Sequence, residues 1–225
     1  MAKRTFLNQR HRDERLIWAR EHLTWTQAQW QNVLNTDEVR ICLRHVDGRR
    51  RVWRGVGERY QDFAIQPTAQ ARGGSIMFWA GISADGRTDL VEVHGNITSQ
   101  SYIADILRPH VLPYAGAVGN DFVLQDDNAR PHRGRIVNDF LDNEGIERME
   151  WPPYSADVSP IENLWSYLKK KIHDDVTPQT TLREIPAIAQ GHCTAIPQPM
   201  IRTLINSMRR RCRAVINANR GYIRY

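Results

Sequence analysis

A short apolar run, Phe122-Val123-Leu124-Gln125, ends in two acids and an amide, Asp126-Asp127-Asn128. After 34 intervening residues Glu162 follows Asp127, inside Ser159-Pro160-Ile161-Glu162-Asn163-Leu164-Trp165. Far upstream, Thr36-Asp37-Glu38 leads into an alternating stretch marked by Val39, Ile41 and Leu43. One acid thus heads a strand, one follows a strand and one lies in the first turn of a helix. Carboxylates delivered from three elements can converge on hard divalent cations, which take oxygen ligands. Mg²⁺ keeps coordination positions open for water and phosphate. Two such ions, about 3.5–4 Å apart, support in-line displacement at a phosphodiester.

Each acid also has a structural reading. Asp37 can follow a turn, and Asp127-Asn128 can be turn chemistry. Ser159-Pro160-Ile161-Glu162 fits a capping box with proline at the first helical position. The set of three, with its spacing, is more specific than any one member. Asp126 competes with Asp127, and strand alternation puts the two on opposite faces. Glu38 and Asp157 read as structural. His132, five residues after Asp127, can touch DNA or an acid, or bond locally at a helix start. Rival chemistry is scarce: there is no P-loop and no Gly-x-Ser-x-Gly, and Gly55-Val56-Gly57 lacks the third glycine of a dinucleotide fingerprint.

The elements that must position these acids follow from periodicity. Residues 10–23 read as a helix with Leu16, Ala19 and Leu23 on one stripe. Thr26 is a cap for a second helix running through Trp30, Val33 and Leu34. A strand at 37–45, a turn at Asp47-Gly48 and a partner strand at 51–54 come next, then an extended loop over 55–74. Residues 75–83 read as a buried strand, paired through the Asp85-Gly86 turn with 88–94. Ser99 opens a helix, Phe122–Gln125 is a strand covered on both sides, and Ile136 to Leu141 mark another helix. Met149 and Trp151 alternate on a short strand. The helix carrying Glu162 follows a proline-rich loop, and two further helices span 181–195 and 199–217. Strands first, then alternation, then helices, suits a mixed sheet with helices on both faces.

Composition narrows the partner. The chain of 225 residues has a net charge of +6 and no apolar run long enough for a membrane span. Its three cysteines are far apart and in no metal spacing, which points to a reducing compartment. Basic residues cluster at Arg44, Arg49, Arg50, Arg51, Arg54 and Arg59, at Lys169, Lys170 and Lys171, and at Arg209, Arg210, Arg211 and Arg213. A solvated face is the plain alternative for each cluster, but together with phosphodiester chemistry they point to DNA.

The flanking words carry a resemblance. Thr-Asp-Glu at 36–38, Gln-Asp-Asp-Asn-Ala-Arg-Pro-His at 125–132 and Trp-Pro-Pro-Tyr-Ser-Ala-Asp-Val-Ser-Pro-Ile-Glu-Asn-Leu-Trp at 151–165 resemble the DDE transposases of the Tc/mariner superfamily. Ser-Met-Arg-Arg-Arg-Cys-Arg-Ala-Val-Ile at 207–216 is similar too. The resemblance matches the branch with Glu as third acid, and implies an RNase H-like fold with a mixed five-stranded sheet. Its first and fourth strands would be neighbours, joining Asp37 to Asp127 across 89 intervening residues. It implies that Asp37, Asp127 and Glu162 hold two Mg²⁺ or Mn²⁺ ions, with the ligand placed immediately before Asn, hence Asp127. It further implies cleavage of DNA at transposon ends, transfer of the 3′ end into a TA target, a homodimer assembled on DNA and, in a eukaryote, nuclear location. The DNA contacts expected are Arg49, Arg50, Arg51, Arg54, His132, Lys169, Lys170, Arg209, Arg210 and Arg211. Residues 1–34 would be a helical extension and 35–225 the catalytic domain, with a clamp-like insertion at 46–74 and C-terminal helices at 180–225. Only 36 residues precede Asp37, so the usual N-terminal helix-turn-helix region is expected to be missing. Alternatives are a truncated or domesticated non-catalytic DNA-binding protein, and an RNase H-like or resolvase-like nuclease.

Overall fold

The computed structural model describes residues 6–43 and 74–223. The proposed turn at Asp47-Gly48, the strand at 51–54 and nearly all of the insertion at 46–74, with Arg49, Arg50, Arg51 and Arg54, lie outside the described residues.

Helix α1, Gln9–Leu23, is capped by the Asn8 side chain, which accepts from the His11 amide. Its buried face is Arg15, Trp18, Ala19 and His22, rotated from the stripe expected because an arginine and a histidine go inside. Thr26 caps α2, Gln27–Gln31, through a full capping box with Gln29. That helix stops short of Val33 and Leu34, which already belong to strand β1, Val33–Cys42. Both are β-branched or apolar residues buried on opposite faces of the sheet, so tertiary burial overrides the helical spacing.

Strand β2, Ser75–Ile82, runs antiparallel to β1 with Asp37 opposite Ala80, and β3, Val91–Val93, runs antiparallel to β2. Strand β4, Val123–Gln125, lies parallel to β1 with Asn35 opposite Gln125, and the short β5, Glu147–Arg148, lies parallel to β4. The order is β3-β2-β1-β4-β5, a mixed five-stranded sheet with the first and fourth strands adjacent. Met149 and Trp151 fall past β5 and are buried in the core from an extended segment instead of a strand.

One face of the sheet carries Val33, Val39, Ile41 and Phe78 against α1, α2 and the C-terminal helices. These are α6, Ile161–Asp175, α7, Ile185–Ala195, α8, Gln198–Asn206, and α9, Met208–Asn217. The single helix expected over 199–217 is broken at Ser207, whose hydroxyl donates to the Leu204 carbonyl at 2.6 Å and competes with the helical ladder. Leu34, Trp79 and Leu124 cover the other face under a helical segment that begins at α3, Ser99–Ser101. It continues as a π-helix over Tyr102–Val111 and ends as α4, Leu112–Val118. Helix α5, Arg135–Asn143, completes that layer. Burial on both faces of β2 and β4 matches their largely apolar sequences, whereas β1 between them carries Asn35, Thr36, Asp37 and Glu38 in its middle.

Candidate active site

Alternation along β1 sends Asp37 to the face that holds Val39 and Ile41, and Glu38 to the face that holds Leu34. Asp37 therefore looks toward α6. The indole N–H of Trp165, one turn along that helix from Glu162, donates to Asp37 Oδ2 at 3.1 Å. Burial, then the charges of Glu162, Glu38 and Asp127, push the Asp37 carboxyl up to about 8, with the Glu38 backbone N–H acting against them. The three acids read from the sequence thus share one electrostatic field at the middle of β1, the end of β4 and the start of α6.

Glu162 sits in the first turn of α6. The expected capping box is not formed. Pro160 occupies the cap position, no side chain caps the helix, and Ser159 Oγ is buried without a hydrogen-bond partner among the described residues. Proline at the cap and Ile161 at the first helical position leave the serine one residue too early. Burial raises the Glu162 carboxyl, and Lys169 partly offsets this.

Asp126 and Asp127 part company. Asp126 is 1% exposed, with Arg133 at 3.1 Å, Arg148 at 3.5 Å and the Tyr102 hydroxyl at 3.4 Å. The Asp127 side chain is 50% exposed. Its Oδ1 accepts from the Ala129 amide at 2.8 Å and from His132 Nδ1 at 2.9 Å. Burial works against ionisation of Asp127, but the His132 and Ala129 bonds outweigh it and hold its carboxyl below the usual range. His132 itself is 2% exposed, turned inward onto the acids and not outward toward a DNA strand. Burial alone would lower its imidazole; the contacts to Asp127 and Glu38 raise it to about 10.

The other predicted contacts divide. Lys169, Lys170, Arg209 and Arg210 are exposed, and Arg209 also donates to the Leu23 carbonyl. Arg211 is 1% exposed and belongs to the interior. It donates to Asn163 Oδ1 at 2.6 Å and Ser207 Oγ at 2.8 Å and reaches the Val158 and Ser159 carbonyls. Arg15 does the same from α1, gripping Asp157 with two bonds of 2.8 Å and Ser155 Oγ at 2.7 Å. These two arginines fasten the strap that delivers Glu162. Sequence reasoning passed over Arg15, although its place one turn before Trp18 and Ala19 on a helical stripe was the available signal.

The donor set is all hard oxygen and faces one field, which fits divalent cations. Among the described residues no three His, Cys, Asp or Glu side chains are drawn to ligand spacing, the separation expected of like charges.

A family model described as DDE superfamily endonuclease matches residues 32–183. The transposable element Tc1 transposase of Caenorhabditis elegans is 32% identical, over 98% of this chain and 80% of that protein. The Tcb1 transposase of Caenorhabditis briggsae is 31% identical over the same shares. The chain belongs to the DDE superfamily endonucleases and is a catalytic domain of the DDE transposase class. The fold is RNase H-like, and solved relatives agree with it. A Mos1 mariner paired-end complex with Mn superposes with a TM-score of 0.78 at 16% identity, covering all of this chain and 67% of that one. The Mos1 catalytic domain with Raltegravir and Mn superposes at 0.73 and 13% identity, covering 98% of this chain and all of that one.

Proposed function

We propose that Asp37, Asp127 and Glu162 hold a pair of divalent metal ions, Mg²⁺ or Mn²⁺, and that the chain cuts DNA phosphodiesters and joins the freed 3′ end to target DNA. The observation that carries this reading is the placing of Asp37 on central strand β1, bonded by Trp165 from the helix that bears Glu162 and beside the strand that runs into Asp127, so that acids from three elements act on one another. A buried acid among like charges is costly unless cations offset it. When bound, such ions make water or a 3′-hydroxyl more nucleophilic and stabilise the departing oxygen.

The protein's own contribution is placement. Trp165 fixes Asp37 from behind, the β1–β4 pairing sets Asp37 beside Asp127, and the strap under Arg15 and Arg211 sets Glu162 at the head of α6. The exposed Lys169 and Lys170, on the same helix as Glu162, and Arg209 and Arg210 on α9 supply phosphate contacts. Residues 35–225 act as the catalytic domain and the insertion at 46–74 as a DNA clamp, with two copies assembling on DNA. A TA dinucleotide is the proposed target and, in a eukaryote, the nucleus the place of action. Solved Mos1 structures with a transposon end and with Mn or Mg support the DNA and metal readings.

The test incubates the protein with pre-cleaved transposon ends, target DNA and Mn²⁺. Asp37→Asn, Asp127→Asn and Glu162→Gln should each lower strand transfer by about 10³-fold or more, the scale of several kcal/mol of transition-state stabilisation. Calorimetry should show Mn²⁺ binding that these variants lose. A wild-type protein as inert as Asp37→Asn and without metal binding would sink the proposal, and preferential cutting of RNA–DNA hybrid would make the chain a nuclease of another kind.

A further inference from the structure

His132 is the best-held side chain in the site, and nothing in the proposed chemistry uses it. Its Nδ1 meets Asp127 Oδ1 at 2.9 Å, and its Nε2 meets Glu38 Oε1 at 3.4 Å. The second contact is long and is an ion pair more than a directed hydrogen bond; Glu38 Oε1 is otherwise buried without a hydrogen-bond partner among the described residues. One face of the imidazole stacks on Tyr102, centroids 4.1 Å apart and planes at 29°. Tyr102 is fully buried, and its hydroxyl reaches Asp126. The His132 backbone carbonyl accepts from Arg148, which also faces Asp126. Ring, backbone and stacking partner are thus all tied down, and the ring has no free path to solvent.

The consequence falls on Asp127. Both of its bonds, from His132 and from the Ala129 amide, use Oδ1. Oδ2 has no partner among the described residues and remains on the half-exposed side. We infer that His132 is a positioning residue. It occupies one oxygen of Asp127 so that the carboxylate presents Oδ2 alone, and Glu38 on the opposite face of β1 fixes the ring that does so. This gives a task to Glu38, next to Asp37 yet pointing away from it, whose side chain is 17% exposed and whose Oε1 is buried on the side of the sheet where an acid has least reason to be. The inference rests on the reading of Asp127 as a metal ligand. Partners that orient a ligating side chain are typically worth about 10–100-fold in metal affinity.

Asparagine can reproduce an Nδ1 donor and glutamine an Nε2 donor, so the two replacements separate the two bonds. Mn²⁺ affinity is measured by calorimetry on the whole chain, and duplex DNA binding is measured in EDTA. His132→Asn should bind Mn²⁺ close to wild type. His132→Gln should bind it about tenfold more weakly or worse, with DNA binding in EDTA unchanged for both. Equal affinities, or the reverse order, overturn the proposal, as does loss of DNA binding in EDTA with metal affinity intact. Asp127→Asn separates the two levels. If it loses Mn²⁺ while His132→Gln does not, only the positioning role falls. If it binds as wild type does, the ligand reading falls and this one with it. Should the replacements not fold, ¹⁵N-histidine spectra of the wild-type protein decide. The His132 imidazole resonances should move on addition of Mg²⁺ alone, and unmoved resonances overturn the role.

Discussion

Two stretches bring acids to the same field by opposite means. In the loop after β4, bonds land on the Asp127 carboxylate itself, from His132 and Ala129. In the strap before α6, the arginine bonds land around Glu162 and not on its carboxylate. Arg15 and Arg211 hold Ser155, Asp157, Asn163 and three backbone carbonyls, and no side chain is bonded to the Glu162 carboxylate among the described residues. One acid is aimed by its neighbours and the other is located by its backbone. The difference teaches that a ligand can be fixed in orientation or only in position, and the two need different supports. An aimed carboxylate has one oxygen to give, whereas a located one can adjust to what binds.

The largest effect should come from unfastening the strap. Arg15→Ala strips a side chain with no exposed surface from Asp157, whose side chain is 11% exposed. Breaking a buried ion pair from one side costs about 3–5 kcal/mol, which for a chain of this size lowers the melting midpoint by roughly 10 °C. Thermal unfolding without metal measures it. A fall of only a degree or two would show that the strap is held by packing and that its arginines are incidental.

The acids themselves should differ next. Asp127→Asn disturbs the bond to His132, which should cost about 1 kcal/mol. Glu162→Gln disturbs no bond and should stay within about 0.5 kcal/mol. Both should lose the thermal shift that Mn²⁺ produces. Equal stability losses at the two positions would erase the distinction between aimed and located acids. Trp165→Phe probes Asp37. It keeps most of the buried ring but removes the donor on Asp37 Oδ2, at a cost of about 1 kcal/mol that denaturant titration can read.

Much of this was legible in the sequence because the carriers are local. The cap at Thr26 and the parting of Asp126 from Asp127 follow from local motif and alternation, whereas the adjacency of β1 and β4 comes only through the family resemblance and the Ser159 cap read for α6 is not formed. What sequence hid was long-range. Arg15 lies 142 residues from Asp157, and Arg211 lies 48 from Asn163. Both sit in charged surroundings where a basic residue normally faces water, so Arg211 read as a DNA contact. Burial of a guanidinium depends on carbonyls and amides gathered from distant segments, which no periodicity reveals. His132 was hidden differently. Its spacing from Asp127 was visible, but its second partner, Glu38, reaches it only across the sheet.

The smallest effect concerns two serines in the strap. Read along the chain, Ser159 was the one to matter, as the cap of α6 in a Ser-Pro-Ile-Glu motif. In the fold its hydroxyl has no partner among the described residues. Ser155, given no role of its own in the sequence, donates to the Pro153 carbonyl at 3.0 Å and accepts from Arg15 at 2.7 Å. Removing a serine cap costs about 1 kcal/mol, so the two accounts disagree by a measurable amount. Ser159→Ala should leave stability unchanged or slightly raised, since it deletes a buried unsatisfied group. Ser155→Ala should lose about 1 kcal/mol, because it leaves a bond of the buried guanidinium unmade. Paired chemical denaturation of the two variants, with Mn²⁺ binding as a check that the site survives, decides between them. A loss at Ser159 equal to that at Ser155 would restore the capping box and free Glu162 to be a helix-end residue. A loss at Ser155 alone leaves the strap fastened from outside and Glu162 without a structural task.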